Sequence, residues 1–324
     1  MQAITQSKAR SYWQVVVGVL LGLSLGGCNQ VDTNRVSEGI NSQPRVVATS
    51  TIITDLAQRV GGEEIQLTGI LQPGVDPHVY EPTPADSRTL ETADLILYNG
   101  YDLEPALINL MNAVGQQARR VAVGEVVEPL KLEEDGEIVP DPHVWGSAEN
   151  AIAMVNLIRD ELIKLSPTDA EIFTQRAVKL TNELQQLHTW ISQQIQTIPA
   201  DKRQLVTTHD AFQYYAEAYG IAIAGTLIGI STEEQPSAQT VTRLVQAIRK
   251  TNVPAIFAET TINPALITTV AQEADVKLAP RELYSDSIGE KGSEADSYIN
   301  MMVANTRTIV EALGGQYTPF ELAQ

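Results

Sequence analysis

The sequence predicts an α/β protein with two similar lobes, each built on a parallel-type central sheet and joined by one long rigid helix. Short aliphatic runs alternate with stretches of helical period, which is typical of strand–helix units around parallel sheets. This pattern occurs once on each side of residues 166–199, a segment with no glycine and no proline between Pro167 and Pro199. The 324 residues are enough for two domains, each with its own core.

The strands are expected in short aliphatic runs. In the first lobe these are RVVATS (45–50), IQLTGI (65–70), DLILYNG (94–100) and RRVAVGE (119–125). In the second lobe they are QLVTTH (204–209), IAIAGTL (221–227), PAIFAET (254–260) and VKLAPREL (276–283). Helices are predicted between them; the one over residues 237–252, for example, begins with serine and has basic residues near its end.

Residues 166–199 are predicted to form the linking helix. Pro167 suits its first turn, and one stripe of apolar side chains runs along it. The stripe consists of Ile172, Ala177, Leu180, Leu184, Leu187 and Ile191. A helix of about 30 residues would be about 45 Å long, enough to run the height of two lobes. Residues 45–165 and 200–324 are therefore predicted as the lobes, and the stiff connection predicts limited hinge closure.

Residues 1–27 have the features of a secretory signal. A short basic region precedes an apolar run, residues 15–25, that is too short to span a bilayer comfortably. The end of this segment, Leu-Gly-Gly-Cys28, resembles the lipobox of bacterial lipoproteins, which implies cleavage before Cys28 and its lipidation. The alternative is a simple secretory signal with an incidental cysteine. With residues 28–44 as a flexible tether, the protein is predicted on the periplasmic or extracytoplasmic face, anchored to the cell membrane by lipidated Cys28.

The composition excludes several kinds of ligand and site. The formal net charge is −18, and it becomes −20 when Lys8 and Arg10 are removed with the signal segment. Such a charge argues against nucleic acid and against an anionic membrane surface as partners, and it is compatible with a cation. Because Cys28 is the only cysteine, the fold is expected without disulfides, and a metal site cannot use thiolate ligands.

Three of the four histidines lie in loops that follow predicted strands. His78 stands in VDPHVYEP, His143 in the related PDPHVWGS, and His209 directly after QLVTT. Each alone would more often be a loop or capping residue. Loops at the carboxyl ends of parallel strands converge on one crevice, however, so together they predict a metal site between the lobes, completed by an oxygen donor from the second lobe. His188, inside the linking helix, is predicted to lie at the surface or in helix packing.

Longer motifs resemble one family over essentially the whole mature chain. In chain order they are HVYEPTPAD, ADLILYNGYDLE, DPHVWGS, VTTHDAFQYYAEAYG, FAETTINP and LYSDSIGEKGSEADSYINMM. They resemble the cluster A-I (cluster 9) metal-binding lipoproteins of manganese and zinc ABC transporters. The resemblance implies four metal ligands, His78, His143, His209 and Asp286. It also implies a monomeric solute-binding protein, not an enzyme, that delivers its ion to a membrane permease with a cytoplasmic ATPase.

The resemblance favours Mn²⁺ as the ion. Many manganese members carry glutamate at the position of His209, whereas zinc members and another manganese branch carry histidine. The ISTEE segment (230–234) and residues 283–298 are similar to that histidine-bearing manganese branch. The acidic stretch 126–141 contains no histidine, unlike the long histidine-rich loop of many zinc members. Zn²⁺ and Fe²⁺ remain alternatives, because nitrogen/oxygen sites accept all three ions and usually bind Zn²⁺ more tightly than Mn²⁺.

Several carboxylates near the predicted ligands need a separate interpretation. Glu259 is expected either to accept a hydrogen bond from a ligating imidazole or to cap the loop that follows it. Asp210 is expected to cap the next helix. Asp76 and Asp141 are expected to form turns, with side chains that point away from the metal ligands. A solvated surface that could contact the permease is expected at Glu290, Lys291 and Glu294.

Two other functions deserve comparison with metal import. Three histidines and a carboxylate could also hold the catalytic metal of a secreted zinc hydrolase. Such a site needs an open coordination position and a general base, whereas the chain lacks HExxH and four protein ligands leave little room. A surface adhesin is the other alternative, and no feature of the sequence supports it independently.

Overall fold

A computed structural model describes residues 43–134, 136–233, 235–251 and 253–322. The predicted signal segment, the tether and Cys28 lie outside these residues. Within the described ranges, no helix is both long and apolar enough to cross a membrane. The α/β architecture with two sheet-containing lobes and a long connecting helix is confirmed.

The first lobe contains a four-stranded parallel sheet in the order β2–β1–β3–β4. Its strands are β1 (Arg45–Ala48), β2 (Gln66–Gly69), β3 (Leu95–Tyr98) and β4 (Arg119–Ala122). In this register Val46 of the central strand β1 lies opposite Leu67 and Leu95. Val46 and Leu95 are fully buried, as expected for parallel strands covered by helices on both faces.

Four helices cover this sheet and begin at favourable residues. They are α1 (Thr51–Gly61), α2 (Pro84–Glu91), α3 (Pro105–Val114) and α4 (Ala148–Leu165). The Ser50 side chain caps α1 by accepting a hydrogen bond from the Ile53 N–H. Thr83 and Asp86 form a reciprocal capping box at the start of α2.

An antiparallel hairpin precedes the loop of His143, and no strand is predicted there from the sequence. It consists of β5 (Lys131–Glu134) and β6 (Glu137–Pro140). The Asp-Gly pair at residues 135–136 is a hairpin signal, and Gly136 has a φ of +85°. The charged composition of the hairpin hides the apolar alternation by which strands are normally recognised.

The second lobe repeats the strand order of the first. Its strands are β7 (Gln204–Thr207), β8 (Ala222–Thr226), β9 (Ala255–Ile256) and β10 (Lys277–Leu278). β7 pairs with β8 and β9 with β10, both in parallel. The Phe257 N–H joins the two pairs by donating to the Val206 carbonyl at 2.9 Å. The order β8–β7–β9–β10 therefore corresponds to β2–β1–β3–β4.

The last two strands are much shorter than predicted. The backbone pairing resumes further along, where the Leu283 N–H donates to the Ala258 carbonyl at 2.9 Å and Glu259 bridges to Leu283. Pro280 lies in the interrupted part and has no N–H to donate. The predicted strands 254–260 and 276–283 thus pair near both of their ends, and the backbone pairing between them is interrupted in the middle.

The linking helix is α5 (Ala170–Gln196), whose 27 residues correspond to about 40 Å. A short 3₁₀ turn, Pro167–Asp169, comes before it. The buried stripe begins at Phe173, and Ile172 is only partly buried. The remaining helices are α6 (Gln213–Tyr219), α7 (Ala238–Thr251), α8 (Ala265–Ala274) and α9 (Tyr298–Ala312). Because α5 shares one apolar core with α1, α4 and α9, bending it would expose apolar surface.

Glu104 is a buried carboxyl group in the first lobe. Its Oε1 accepts hydrogen bonds from the Asn99 N–H at 2.8 Å and from the Thr49 hydroxyl at 2.7 Å. Burial raises the pKa of Glu104 from 4.5 to about 7. The folded protein therefore holds a proton between these two pH values that the unfolded chain has lost.

We expect the Glu104 carboxyl group to destabilise the fold progressively as pH rises from about 4.5 to about 7. Stability falls in this window because the folded state binds more protons than the unfolded state, and the loss amounts to about 3 kcal/mol. The variant Glu104→Gln, a neutral mimic of the protonated acid, is expected to lose much less stability over the same range. Urea unfolding of both proteins at pH 5 and pH 8 measures the difference. Equal losses in the two proteins would contradict this assignment.

Candidate metal centre

Four side chains from both lobes meet at the ends of the strands. His78 lies in the loop between β2 and α2, and His143 follows β6. His209 follows β7, and Asp286 follows the extended run that continues β10. All four are at most 3% exposed. One potential ligand atom from each of them lies within 4.8 Å of those of the other three.

The closest distances in this cluster fit a single ion. His78 Nε2 lies 3.3 Å from His143 Nε2. The Asp286 carboxylate approaches both remaining rings, with Oδ1 3.3 Å from His143 Nε2 and Oδ2 3.3 Å from His209 Nε2. Ligands at about 2.0–2.1 Å from a tetrahedral ion are separated by about 3.3–3.4 Å. Three imidazole nitrogens and a carboxylate oxygen thus surround one point at a suitable spacing.

Two carboxylates determine which nitrogens can face the ion. Asp141 Oδ1 accepts a hydrogen bond from His143 Nδ1 at 2.8 Å, and Glu259 Oε2 accepts one from His209 Nδ1. Because an ionised carboxylate can only accept, Nδ1 carries the proton in both rings. When such a ring gives up its second proton, as metal binding requires, its lone pair is on Nε2, which points into the cluster.

Glu259 fills a second role through its other oxygen. Glu259 Oε1 accepts hydrogen bonds from the backbone N–H groups of Thr208 at 2.8 Å and His209 at 2.9 Å. The carboxylate thus holds both the ring and the backbone of His209. Both of these N–H groups lie just before α6. Glu259 therefore stabilises the loop of His209, and not the loop that follows Glu259 itself.

Two sequence-based assignments are wrong. Asp141 does not point away from its neighbouring histidine, because the Asp-Pro-His turn folds its side chain back. Asp141 Oδ1 accepts from the His143 N–H at 2.9 Å as well as from the ring. Asp210 does not cap α6; it accepts from the Gln213 side-chain amide at 2.8 Å. Phe212 occupies the N-cap position, with no side-chain hydrogen bond.

Burial and neighbouring charges shift the pKa values of the cluster in different directions. Burial lowers the pKa of His78 to about 3. At His143 and His209, burial acts in the same direction but is outweighed by the carboxylates in contact with the rings. These carboxylates raise the pKa of His143 to about 9 and that of His209 well above its usual value. Burial is also outweighed at Asp286, where the facing imidazoles hold the pKa well below its usual range.

Two polar atoms in the cluster lack hydrogen bonds within the described part of the chain. His209 Nε2 and Asp286 Oδ1 are both buried and make no hydrogen bond, although the carboxylate faces the two rings at 3.3 Å. Leaving such groups unsatisfied in the interior is costly. A divalent ion would satisfy both atoms, and the nitrogen/oxygen donor set suits Zn²⁺, Mn²⁺ or Fe²⁺.

Other predicted residues lie outside the cluster. His188 packs in α5, where its Nε2 is 3.8 Å from Glu149 and its ring stacks obliquely on Tyr219. Asp76 forms the expected turn, because its Oδ1 accepts from the His78 N–H at 2.9 Å. The residues predicted to form a solvated surface are all exposed: Glu290, Lys291 and Glu294.

Several contacts around the site were not predicted from the sequence. Trp145 Nε1 donates to the Ser285 carbonyl at 2.9 Å, next to Asp286, and its ring meets the His143 ring edge-on. Ser287, on the other side of Asp286, contacts the first lobe. Both residues lie close to a predicted ligand in the sequence. That position is a weak signal for a contact between the lobes, because it does not show which residue would be contacted.

Known proteins resemble this chain in sequence and in fold. The model of the family described as ZnuA, zinc-uptake complex component A, periplasmic, matches residues 46–312. The manganese-binding lipoprotein MntA of Halalkalibacterium halodurans is 33% identical over 295 residues, which cover 91% of this chain and 96% of that protein. The zinc-binding protein TroA of Treponema pallidum is 36% identical over 280 residues, 84% of this chain and 90% of that protein. The solved structure of the T. pallidum periplasmic zinc-binding protein TroA has a TM-score of 0.80 at 35% identity, covering 84% of this chain and 99% of that one.

Proposed function

This chain belongs to the ZnuA family of periplasmic metal-binding transport components, and we propose from this premise that it captures Mn²⁺ for import by an ABC transporter. The family consists of solute-binding proteins and not of enzymes, so the hydrolase alternative is discarded. The buried cluster of three imidazoles and one carboxylate carries the proposal. In it, His78, His143, His209 and Asp286 ligate the ion, while Asp141 and Glu259 orient two of the imidazoles.

The choice of Mn²⁺ rests on similarity and on the loops around the site. Relatives named as manganese-binding lipoproteins are 33–34% identical to this chain over most of its length. The ISTEE segment and the histidine-free stretch 126–141 favour the same ion. The zinc-binding relative TroA supports Zn²⁺ as the alternative cargo, and Fe²⁺ suits the same donors.

The proposal extends to the location and the partners of the protein. Lipidated Cys28 anchors it to the outer face of the cytoplasmic membrane, and residues 28–44 act as the tether. The lobes span 45–165 and 200–324, with 166–199 as the connection. The protein acts as a monomer and delivers its ion to a permease that works with a cytoplasmic ATPase. Residues 290–294, which are largely exposed, provide a charged surface for the permease.

Elemental analysis of the protein purified from its native compartment tests the choice of ion. We expect close to one equivalent of manganese per chain when manganese is plentiful, and almost none in a variant with Asp286→Ala. Purification has to avoid added zinc, because such a site would exchange Mn²⁺ for the more tightly bound ion. Zinc in place of manganese under these conditions would overturn the choice of Mn²⁺, and a metal-free wild-type protein would overturn the function itself.

A further inference from the structure

The turn that carries His78 lies at the rim of the buried site. Gly74 is exposed and Asp76 is half-buried, whereas Pro77 and His78 beneath them are buried. Asp76 Oδ1 is used within the turn, where it accepts from the His78 N–H. The turn therefore connects the protein surface to one of the metal ligands over only a few residues.

The second lobe holds this turn at Asp76. The Thr232 hydroxyl donates to Asp76 Oδ2 at 2.6 Å, and Thr232 is only 8% exposed. Thr232 belongs to the ISTEE segment, which follows β8 and is far from His78 in the sequence. A short hydrogen bond to a carboxylate is among the stronger polar contacts of a protein. It joins the two lobes at a residue two positions before the metal ligand His78.

The second lobe also holds the same turn at Gly74. The Gly74 N–H donates to Ser287 Oγ at 2.9 Å. Ser287 Oγ lies 3.2 Å from Thr51 Oγ1, and Thr51 Oγ1 accepts from the Ile288 N–H at 3.1 Å. Both Thr51 and Ser287 are buried. Two segments of the second lobe, which contain Thr232 and Ser287, therefore form hydrogen bonds with the turn of His78.

We propose that the hydrogen bonds of Thr232 and Ser287 to the turn of residues 74–76 form a clasp between the lobes. This clasp sets the rate of metal release. This inference rests on the proposed metal-binding function. All four ligands are at most 3% exposed, so an ion can leave only after the lobes separate at the rim. The clasp bonds join residues of opposite lobes and are lost on separation. Removing one raises the population of the open form.

Thr232→Val tests the clasp, because valine keeps the shape of threonine and removes the hydroxyl. We expect the dissociation rate of bound Mn²⁺ to rise about tenfold, as for the loss of a hydrogen bond to a charged group, with little change in the association rate. The measurement is stopped-flow mixing of the Mn²⁺-loaded full chain with excess EDTA. Zn²⁺ dissociation, followed in the same way, is expected to accelerate by a similar factor.

Two matched controls separate the clasp from a general effect on folding. Thr232→Ser retains the donor and should release Mn²⁺ at a rate within about twofold of wild type. Thr242→Val makes the same replacement on the exposed face of α7, where the hydroxyl donates to the Ala238 carbonyl of its own helix at 2.8 Å. It should also behave as wild type. Thermal unfolding of the metal-free proteins checks that each variant is folded.

The outcomes distinguish the clasp from the proposed function. Wild-type rates in Thr232→Val would overturn the clasp, as would equally fast release from Thr232→Ser. If Thr232→Val does not fold, Ser287→Ala, which removes the acceptor of the Gly74 N–H, is expected to accelerate release in its place. Wild-type release from that variant would then overturn the clasp. A wild-type chain that binds neither ion would reject the metal-binding function, and the clasp with it.

Discussion

Asp286→Ala is expected to weaken metal binding by about 100- to 1000-fold while the protein stays folded. Buried structural sites with four ligands bind Zn²⁺ with about 10–16 kcal/mol, so one ligand corresponds to about 3–4 kcal/mol. The Asp286 carboxylate also approaches both His143 Nε2 and His209 Nε2, at 3.3 Å each. His78→Ala is expected to produce a loss of similar size. Isothermal titration of the metal-free proteins with Mn²⁺ and Zn²⁺ measures these changes.

A histidine outside the cluster serves as the control for this experiment. His188→Ala changes a residue of α5 that contacts Glu149 and Tyr219, and it should leave the affinity within about twofold of wild type. Circular dichroism of each variant checks that the fold persists. Affinity close to wild type in Asp286→Ala or His78→Ala would mean that the ion binds elsewhere.

Changes at Glu259 are expected to have the next largest effect, with separate consequences for affinity and stability. Glu259→Gln can keep the oxygen that accepts from the Thr208 and His209 N–H groups and replaces the other with an amide. Because that amide cannot accept from His209 Nδ1, we expect a 10- to 100-fold loss of affinity. Glu259→Ala also leaves the two buried N–H groups without a partner, which costs about 1–3 kcal/mol of stability for each.

The comparison of these two variants is the decisive measurement. Titration with Mn²⁺ gives the affinity, and urea unfolding without metal gives the stability. Asp141→Asn is the matched variant on the first lobe. It weakens the corresponding hydrogen bond, the one that the aspartate accepts from His143 Nδ1. We expect it to resemble Glu259→Gln. Unchanged affinity in both conservative variants would show that the carboxylates do not orient the ligands.

The two Asp-Pro-His-Val turns show how far sequence patterns can reach. Their shared spacing predicts that the aspartate forms a turn, and in both copies Oδ1 accepts from the histidine N–H at 2.9 Å. Their remaining contacts differ. Asp141 holds the ring of its own histidine, whereas Asp76 binds Thr232 of the other lobe. Identical local sequences cannot reveal this difference, because the partners come from distant parts of the chain.

The fold was predictable in its repeating elements and less so in its irregular ones. Long aliphatic runs predicted all four strands of each lobe, because buried parallel strands are apolar over their whole length. The hairpin β5–β6 was missed, since it is charged and carries little apolar alternation. The interruptions in β9 and β10 also depend on tertiary pairing, which local sequence determines only weakly.

The sequence by itself determined the chemistry available to this protein. It supplied three histidines at strand ends, no cysteine beyond Cys28, a strongly acidic balance and motifs that resemble one family. Only the tertiary structure decided which carboxylates orient the rings, that Asp210 does not cap α6, and that Thr232 and Ser287 grip the turn of His78. The physical reason is that residue type and strand order specify where a side chain can point. Its hydrogen-bond partner depends on how the lobes pack together.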